Sequence, residues 1–325
     1  MSRPRTVPAA VDPAEPGRPR PSALGTWWLA IRPATLPAAV APVLVGLGAA
    51  LGSGASFRGD TALGCLAVAL LLQVAANLAN DLSDFRRGAD MPERVGPTRV
   101  AASGLVTTRR LEVAIALVVA AAGIVGLYLV VVGGPALLGL GILAVISALA
   151  YTGGPWPYGY RGLGEVFVFI FFGLVAVVGT AYLQALDLAP LYWLAALPVG
   201  ALVTAILVVN NLRDLPTDRI AGKRTLAVIF GDRFTKAEYV GLCLVAAVVP
   251  VVIVVAGLAA PSALLPLLVL PLAIPPIREV LGVADRSDRR RLNPALGATA
   301  RLSLAYAGLF AVGLAISGLT ISGLT

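Results

Sequence analysis

TALGCLAVALLLQVAANLANDLSD, residues 61–84, runs without a charge as far as Asn80 and then presents Asp81 and Asp84 beside Asn77 and Asn80. A helix needs about 20 apolar residues to cross the hydrocarbon of a bilayer, and this run supplies them. Carboxylates at such a boundary are costly, so their placement calls for a bound cation rather than for solubility. The arrangement returns at Asn210-Asn211-Leu212-Arg213-Asp214-Leu215-Pro216-Thr217-Asp218, again where a charge-free run (188–212) meets a basic loop.

Working outward, the chain is 58% hydrophobic and only 13% charged, with a mean hydropathy of +0.89. That is far more apolar than a soluble domain, and it sets the class as a polytopic membrane protein. Charge-free runs cover 33–57, 61–80, 113–160, 166–186, 188–212, 239–277 and 302–325. Two are of double length. Turn formers split the first at Gly133-Gly134-Pro135 and the second between Gly257 and Ser262. The runs and splits together predict an all-α bundle of nine transmembrane helices over residues 26–325. Residues 1–25, with Pro4, Pro8, Pro13, Pro16, Pro19 and Pro21 among polar residues, are expected to be a disordered cytoplasmic tail.

Nine spans with the N-terminus in the cytoplasm place every Lys and Arg except Arg58 on the inner tail and loops. The positive-inside rule is thereby met, and both Asn/Asp clusters open to the cytoplasmic face of the cell membrane. The net charge of +8 is explained by this topology and by attraction to anionic lipid, so no nucleic-acid partner is implied. Histidine is absent, which removes the usual general base and most haem and zinc sites. Cys65 and Cys243 fall inside predicted spans and read as small buried apolar residues.

Asn77, Asp81 and Asp84 stand at i, i+4 and i+7, on one face of a continuing helix, with Asn80 and Asp84 as a second i, i+4 pair. Asn211, Asp214 and Asp218 repeat the spacing, but Pro216 predicts a break that would put Asp218 on a differently angled turn. Helix capping explains one such carboxylate and leaves the other three without a role. Oxygen-only ligands suit Mg2+, and Mg2+ usually brings a phosphate. Arg86, Arg87, Arg94 and Arg99 follow the first cluster, and Lys223 and Arg224 the second. Each alone reads equally as a topology-setting charge, but together with a metal they outline a diphosphate pocket. Phe167, Phe169, Phe171 and Phe172 are bundle packing by default and, on the sharper reading, the wall of a channel for an isoprenoid tail.

The two Asp-rich motifs on helices 2 and 6 resemble the UbiA superfamily of intramembrane prenyltransferases. More narrowly, Asn80 to Asp84, Arg94-Val95-Gly96-Pro97, Tyr151 to Pro155, Gly159 to Glu165, and Asn210 to Leu226 resemble its menaquinone branch, and the likeness runs from Arg32-Pro33 to the last helix. The resemblance implies Mg2+-dependent transfer of a polyprenyl group from polyprenyl diphosphate to 1,4-dihydroxy-2-naphthoate, with decarboxylation, giving demethylmenaquinone. It implies Asn80, Asp81, Asp84, Asp214 and Asp218 as metal ligands, the four Asp serving catalysis. Asn77, Arg87, Arg94, Tyr151, Arg161, Asn211, Lys223 and Arg224 would contact substrate, and Arg32 would hold the naphthoate carboxylate. Two departures stand out: Gly88 replaces a further Asp common in the superfamily, with Asp90 nearby, and Ala34 stands where a basic residue is frequent. Another acceptor such as 4-hydroxybenzoate or a tetrapyrrole is the alternative within the class. A cation-coupled transporter is the alternative outside it, and would carry its carboxylates near the bilayer midplane.

The topology is tested by cysteines introduced singly at Ser103, Asp288 and Ser53. The first two are expected to react with an impermeant thiol reagent only from the cytoplasmic side and the third only from outside, and a reversal at any of them overturns the nine-span arrangement.

Overall fold

The computed structural model describes residues 21–89, 96, 98–283 and 286–322. Residues 1–20 of the expected tail, Asp90 and Arg94 lie outside the described residues. Ser22 caps the first helix by accepting from the Gly25 amide, so residues 23–25 are already helical.

Among the described residues there is no strand, and ten main helices follow one another, with short 3-10 turns at Pro33–Thr35, Tyr158–Arg161 and Arg286–Arg291. They are α1 (Ala23–Ile31), α2 (Pro37–Gly52), α3 (Gly59–Arg87), α4 (Thr108–Gly133), α5 (Ala136–Ala150), α6 (Gly164–Ala185), α7 (Pro190–Ile220), α8 (Leu226–Val255), α9 (Pro261–Gly282) and α10 (Leu292–Ser322). Both expected splits are present, at Gly134-Pro135 and between Val255 and Pro261. By length and composition seven helices can cross a bilayer unaided, and α1 with α2, bent by 49°, count as an eighth if they form one broken span. The ninth expected span is α5, whose 15 residues reach only about 22 Å.

The bend before α2 has a local cause. Arg32 precedes Pro33, which disfavours a helical continuation, and takes a left-handed conformation (φ 54°). Asn77 on α3 pins the turn by donating to the Ile31 carbonyl (2.8 Å) and to Thr35 Oγ1 (2.9 Å).

α7 is apolar on all sides and is the central helix, with Ala195, Val199, Leu202, Val208 and Leu212 essentially inaccessible. α2, α8 and α10 enclose it. α2 and α10 approach until a Cβ on Gly48 would lie 2.4 Å from the Ala311 Cα, the small-residue contact that membrane helices use. α4 by contrast is peripheral and turns Leu117, Ile124 and Val131 outward.

The break expected at Pro216 does not occur, and α7 continues to Ile220. Proline removes the N–H that would pair with the carbonyl four residues earlier, here that of Leu212. Arg289 supplies the missing donor through Nη1, while its Nη2 grips both oxygens of Asp232 (3.0 and 2.9 Å). Asp214 and Asp218 therefore share one unbroken helix. The same solution recurs at Pro250 in α8, where the Tyr306 hydroxyl donates to the Ala246 carbonyl (2.7 Å).

Arg289→Ala is expected to cost about 1–3 kcal/mol by leaving the Leu212 carbonyl buried and unpaired. Pro216→Ala, which restores an N–H, should recover part of that loss in the double variant, read from unfolding midpoints in detergent as a double-mutant cycle.

Candidate functional site

A cavity of about 760 Å³ runs between α3, α4, α5, α6 and α7. Its longer part is apolar, walled by Leu129, Val130, Leu138, Ile142, Phe167 and Phe171 among others. Phe172 also lines it, whereas Phe169 packs against Gly200 on α7. Phe167 stacks on Tyr158 at 4.1 Å between centroids, and a π-helical turn over Phe169–Val175 interrupts α6 beside this wall.

The polar end gathers the two clusters. Asp84 from α3 is 1% exposed and accepts from Arg99 Nη2 (2.9 Å) and the Tyr160 hydroxyl (2.9 Å). Lys223, just beyond α7, reaches across with Nζ 3.3 Å from Asp84 and 3.7 Å from Asp218. One ammonium thus joins the first cluster to the second. Its Nζ also lies 4.9 Å from the centre of the Tyr160 ring. Burial, with the Asp84 charge behind it, pushes the Tyr160 phenol up, so it stays a proton donor. Asp214 is held by the adjacent Arg213 in a two-point contact (2.7 and 2.8 Å), and Arg213 extends to Asn293 and Asn210.

The expected site residues divide into two groups. Arg32, Asn77, Asn80, Asp84 and Tyr151 line the cavity from the first half of the chain, and Asn211, Asp214, Asp218 and Lys223 from the second. Arg94 lies outside the described residues, and the other four do not line the cavity. Asp81, though on the same helix, is not in the lining: it accepts from the Val100 and Ala101 amides (3.1 and 3.0 Å) and lies 3.8 Å from Arg32 Nη2. Arg87 donates to the Thr152 and Gly154 carbonyls (3.1 and 2.7 Å) and fixes the loop after α5. Arg161 lies over Trp156, and Arg224 has an exposed side chain while its amide donates to the Tyr160 carbonyl. Arg99, counted in the sequence among the basic residues of a diphosphate pocket, is brought onto Asp84, whereas Tyr160, Thr152 and Arg213 are contacts that the sequence reading did not single out. Arg99 and Arg213 were visible as basic residues beside the clusters, whereas nothing in the spacing marked Tyr160 or Thr152.

Among the described residues no group of three or more His, Cys, Asp or Glu forms a ready metal cluster. Asp84 and Asp218 do converge on one point, that of the Lys223 ammonium, and their oxygen-only donor set with Asn80 and Asp214 nearby suits a hard divalent cation. A cavity charged at one end and apolar along its length is shaped for an amphiphile with an anionic head and a long hydrocarbon tail.

Residues 39–304 match the UbiA prenyltransferase family, and the chain belongs to it as a multi-pass membrane prenyltransferase. The 1,4-dihydroxy-2-naphthoate octaprenyltransferase of Mycobacterium tuberculosis is 42% identical over 291 residues, covering 88% of this chain and 97% of that protein. The protein of the same name from Haemophilus influenzae is 37% identical over 299 residues, covering 89% and 96%. Among solved structures, a UbiA homolog from Aeropyrum pernix K1 aligns with a TM-score of 0.60 at 18% identity over 88% of this chain and 98% of that one. A UbiA homolog from Archaeoglobus fulgidus bound to GPP and Mg2+ aligns at 0.58 and 16% identity, over 88% and 99%. Divalent metal together with a prenyl diphosphate is therefore found on this fold.

The different settings of the carboxylates separate their roles. Asp81→Asn turns an amide NH2 toward a backbone N–H and is expected to lower stability by about 1–3 kcal/mol in detergent unfolding. Asp218→Asn, whose partner Lys223 keeps Asp84, should leave the midpoint within about 1 kcal/mol yet abolish prenyl transfer.

Proposed function

We propose that this chain transfers a polyprenyl group from polyprenyl diphosphate to 1,4-dihydroxy-2-naphthoate, with loss of the carboxylate as carbon dioxide, giving demethylmenaquinone. The observation that carries the reading is the meeting of Asp84, Lys223 and Asp218 at the polar end of a cavity otherwise lined by apolar side chains. The relatives at 42% and 37% identity, whose names state this acceptor, support it over nearly their whole length.

Asp84, Asp218, Asn80 and Asp214 would hold Mg2+, and Asp81 would act on the site through the loop it anchors. Bound Mg2+ neutralises the leaving diphosphate and so favours cleavage at the allylic carbon. Lys223 and Arg99 add positive charge on the same side, within reach of diphosphate oxygens. The Tyr160 hydroxyl orients Asp84. Phe167, Phe171 and Phe172 keep water from a carbon that becomes electron-poor. Arg32, in the cavity wall, is the candidate for the acceptor carboxylate. The disposition of Lys and Arg supports a plasma-membrane orientation with the N-terminus and the polar mouth on the cytoplasmic side.

The test is incubation of the purified protein with 1,4-dihydroxy-2-naphthoate, polyprenyl diphosphate and Mg2+, with mass analysis of the lipid product. A prenylated, decarboxylated naphthoquinone that vanishes with a chelator is expected, and prenylation of 4-hydroxybenzoate instead overturns the acceptor. In a two-substrate kinetic matrix Lys223→Ala should raise the KM for the prenyl donor or lower turnover, and Arg32→Gln should weaken naphthoate by about 1–3 kcal/mol.

A further inference from the structure

Glu165, in the first turn of α6, is 5% exposed, yet among the described residues no Lys or Arg pairs with it. A carboxylate inside a membrane bundle without a cation is costly and marks function more often than packing. The helix N-terminus offsets part of that cost. One of its oxygens, Oε1, accepts from Asn211 Nδ2 at 2.7 Å, and the other, Oε2, is buried without a partner.

The consequence falls on Asn211, which is 3% exposed and lines the cavity. The NH2 of the carboxamide is the group that donates to Glu165, so the oxygen faces away from it. Donating from its NH2 also polarises the amide and makes that oxygen a stronger acceptor. The other Asn residues of the two clusters are differently committed. Asn80 and Asn210 use their oxygens on Thr152 and Arg213, and Asn77 uses its NH2 on the turn at Ile31 and Thr35.

Asn211 lies on α7 one turn before Asp214 and two before Asp218, so it stands further along the helix from Lys223 than either and closer to the apolar run 190–209. Gly164, next to Glu165, packs against the Tyr151 ring and Leu207, so the pair borders the part of the cavity just below the charged end. An aromatic ring that attacks the first carbon of the prenyl chain has to sit there, between the diphosphate and the tail. The chemistry that fits a polarised amide oxygen at that level is a hydroxyl donor on the ring.

We propose that Glu165 is a positioning residue for acceptor recognition: it fixes the Asn211 carboxamide so that its oxygen receives a hydrogen bond from a ring hydroxyl of the aromatic acceptor. This rests on the acceptor assigned above. It makes Asn211 the contact and Glu165 the residue that orients and strengthens it.

The experiment uses full-length wild type, Glu165→Gln and Asn211→Ala in lipid nanodiscs, with thermal midpoints checked first. Equilibrium binding is measured for 1,4-dihydroxy-2-naphthoate and for 1-hydroxy- and 4-hydroxy-2-naphthoate, each of which lacks one ring hydroxyl. Wild type should prefer the diol to one of the two deoxy analogues by about tenfold or more. Both variants should lose most of that preference, and Glu165→Gln should raise the acceptor KM while leaving the KM for prenyl diphosphate unchanged. Equal discrimination in wild type and Glu165→Gln, or an equal rise in both KM values, overturns the inference and leaves the acceptor assignment standing. A wild type that neither binds nor prenylates the diol overturns that assignment, and the inference with it. Should Glu165→Gln fail to fold, Asn211→Ala carries the same discrimination test.

Discussion

A carboxylate held inside an apolar bundle has to be answered by positive charge or by donors, because the surroundings cannot solvate it. Asp84 draws Arg99, Tyr160 and Lys223 onto itself, and Lys223 in turn draws in Asp218. Asp214 is matched by Arg213, which is tied to Asn293 at the head of α10. The elements that carry these groups, α3, the loop after α5, α7 and α10, are far apart in the chain. They meet because three carboxylates require them to.

The backbone obeys the same rule. Proline in a membrane helix frees a carbonyl that lipid cannot satisfy, and here two such carbonyls are met by side chains from the C-terminal part of the chain, Arg289 on Leu212 and Tyr306 on Ala246. The C-terminal segment therefore does more than complete the packing: it keeps α7 continuous through Pro216, so that Asp214 and Asp218 stand on a single helix. Asn77 plays the corresponding part for the first segment, pinning the turn that carries Arg32 into the cavity wall.

Much of this was legible in the sequence because it depends on composition and spacing. Runs of apolar residues marked the segments, glycine and proline the splits, and the paired Asn/Asp clusters the residues that meet at the polar end of the cavity. Cys65 and Cys243 are free and buried, as their place in the spans implied. What was not legible depends on partners distant in the chain. Spacing put Asp81 on the face of Asn77 and Asp84, but two amides from the loop at Val100 and Ala101 draw its carboxylate out of the cavity. Pro216 alone predicts a break, and only Arg289, 73 residues later in the chain, removes the need for one. Arg87 and Arg161 were expected to contact substrate, yet one braces loop carbonyls and the other lies on Trp156.

Arg32 also shows where stability is traded for function. Its left-handed backbone costs an L-residue about 1–2 kcal/mol, and glycine would adopt it freely. A tighter, more stable turn is thus one substitution away, and it would lack the guanidinium. The chain carries a strained hinge at a residue whose positive charge lines the cavity, so a screen for thermal stability alone would select against the residue proposed to meet the acceptor.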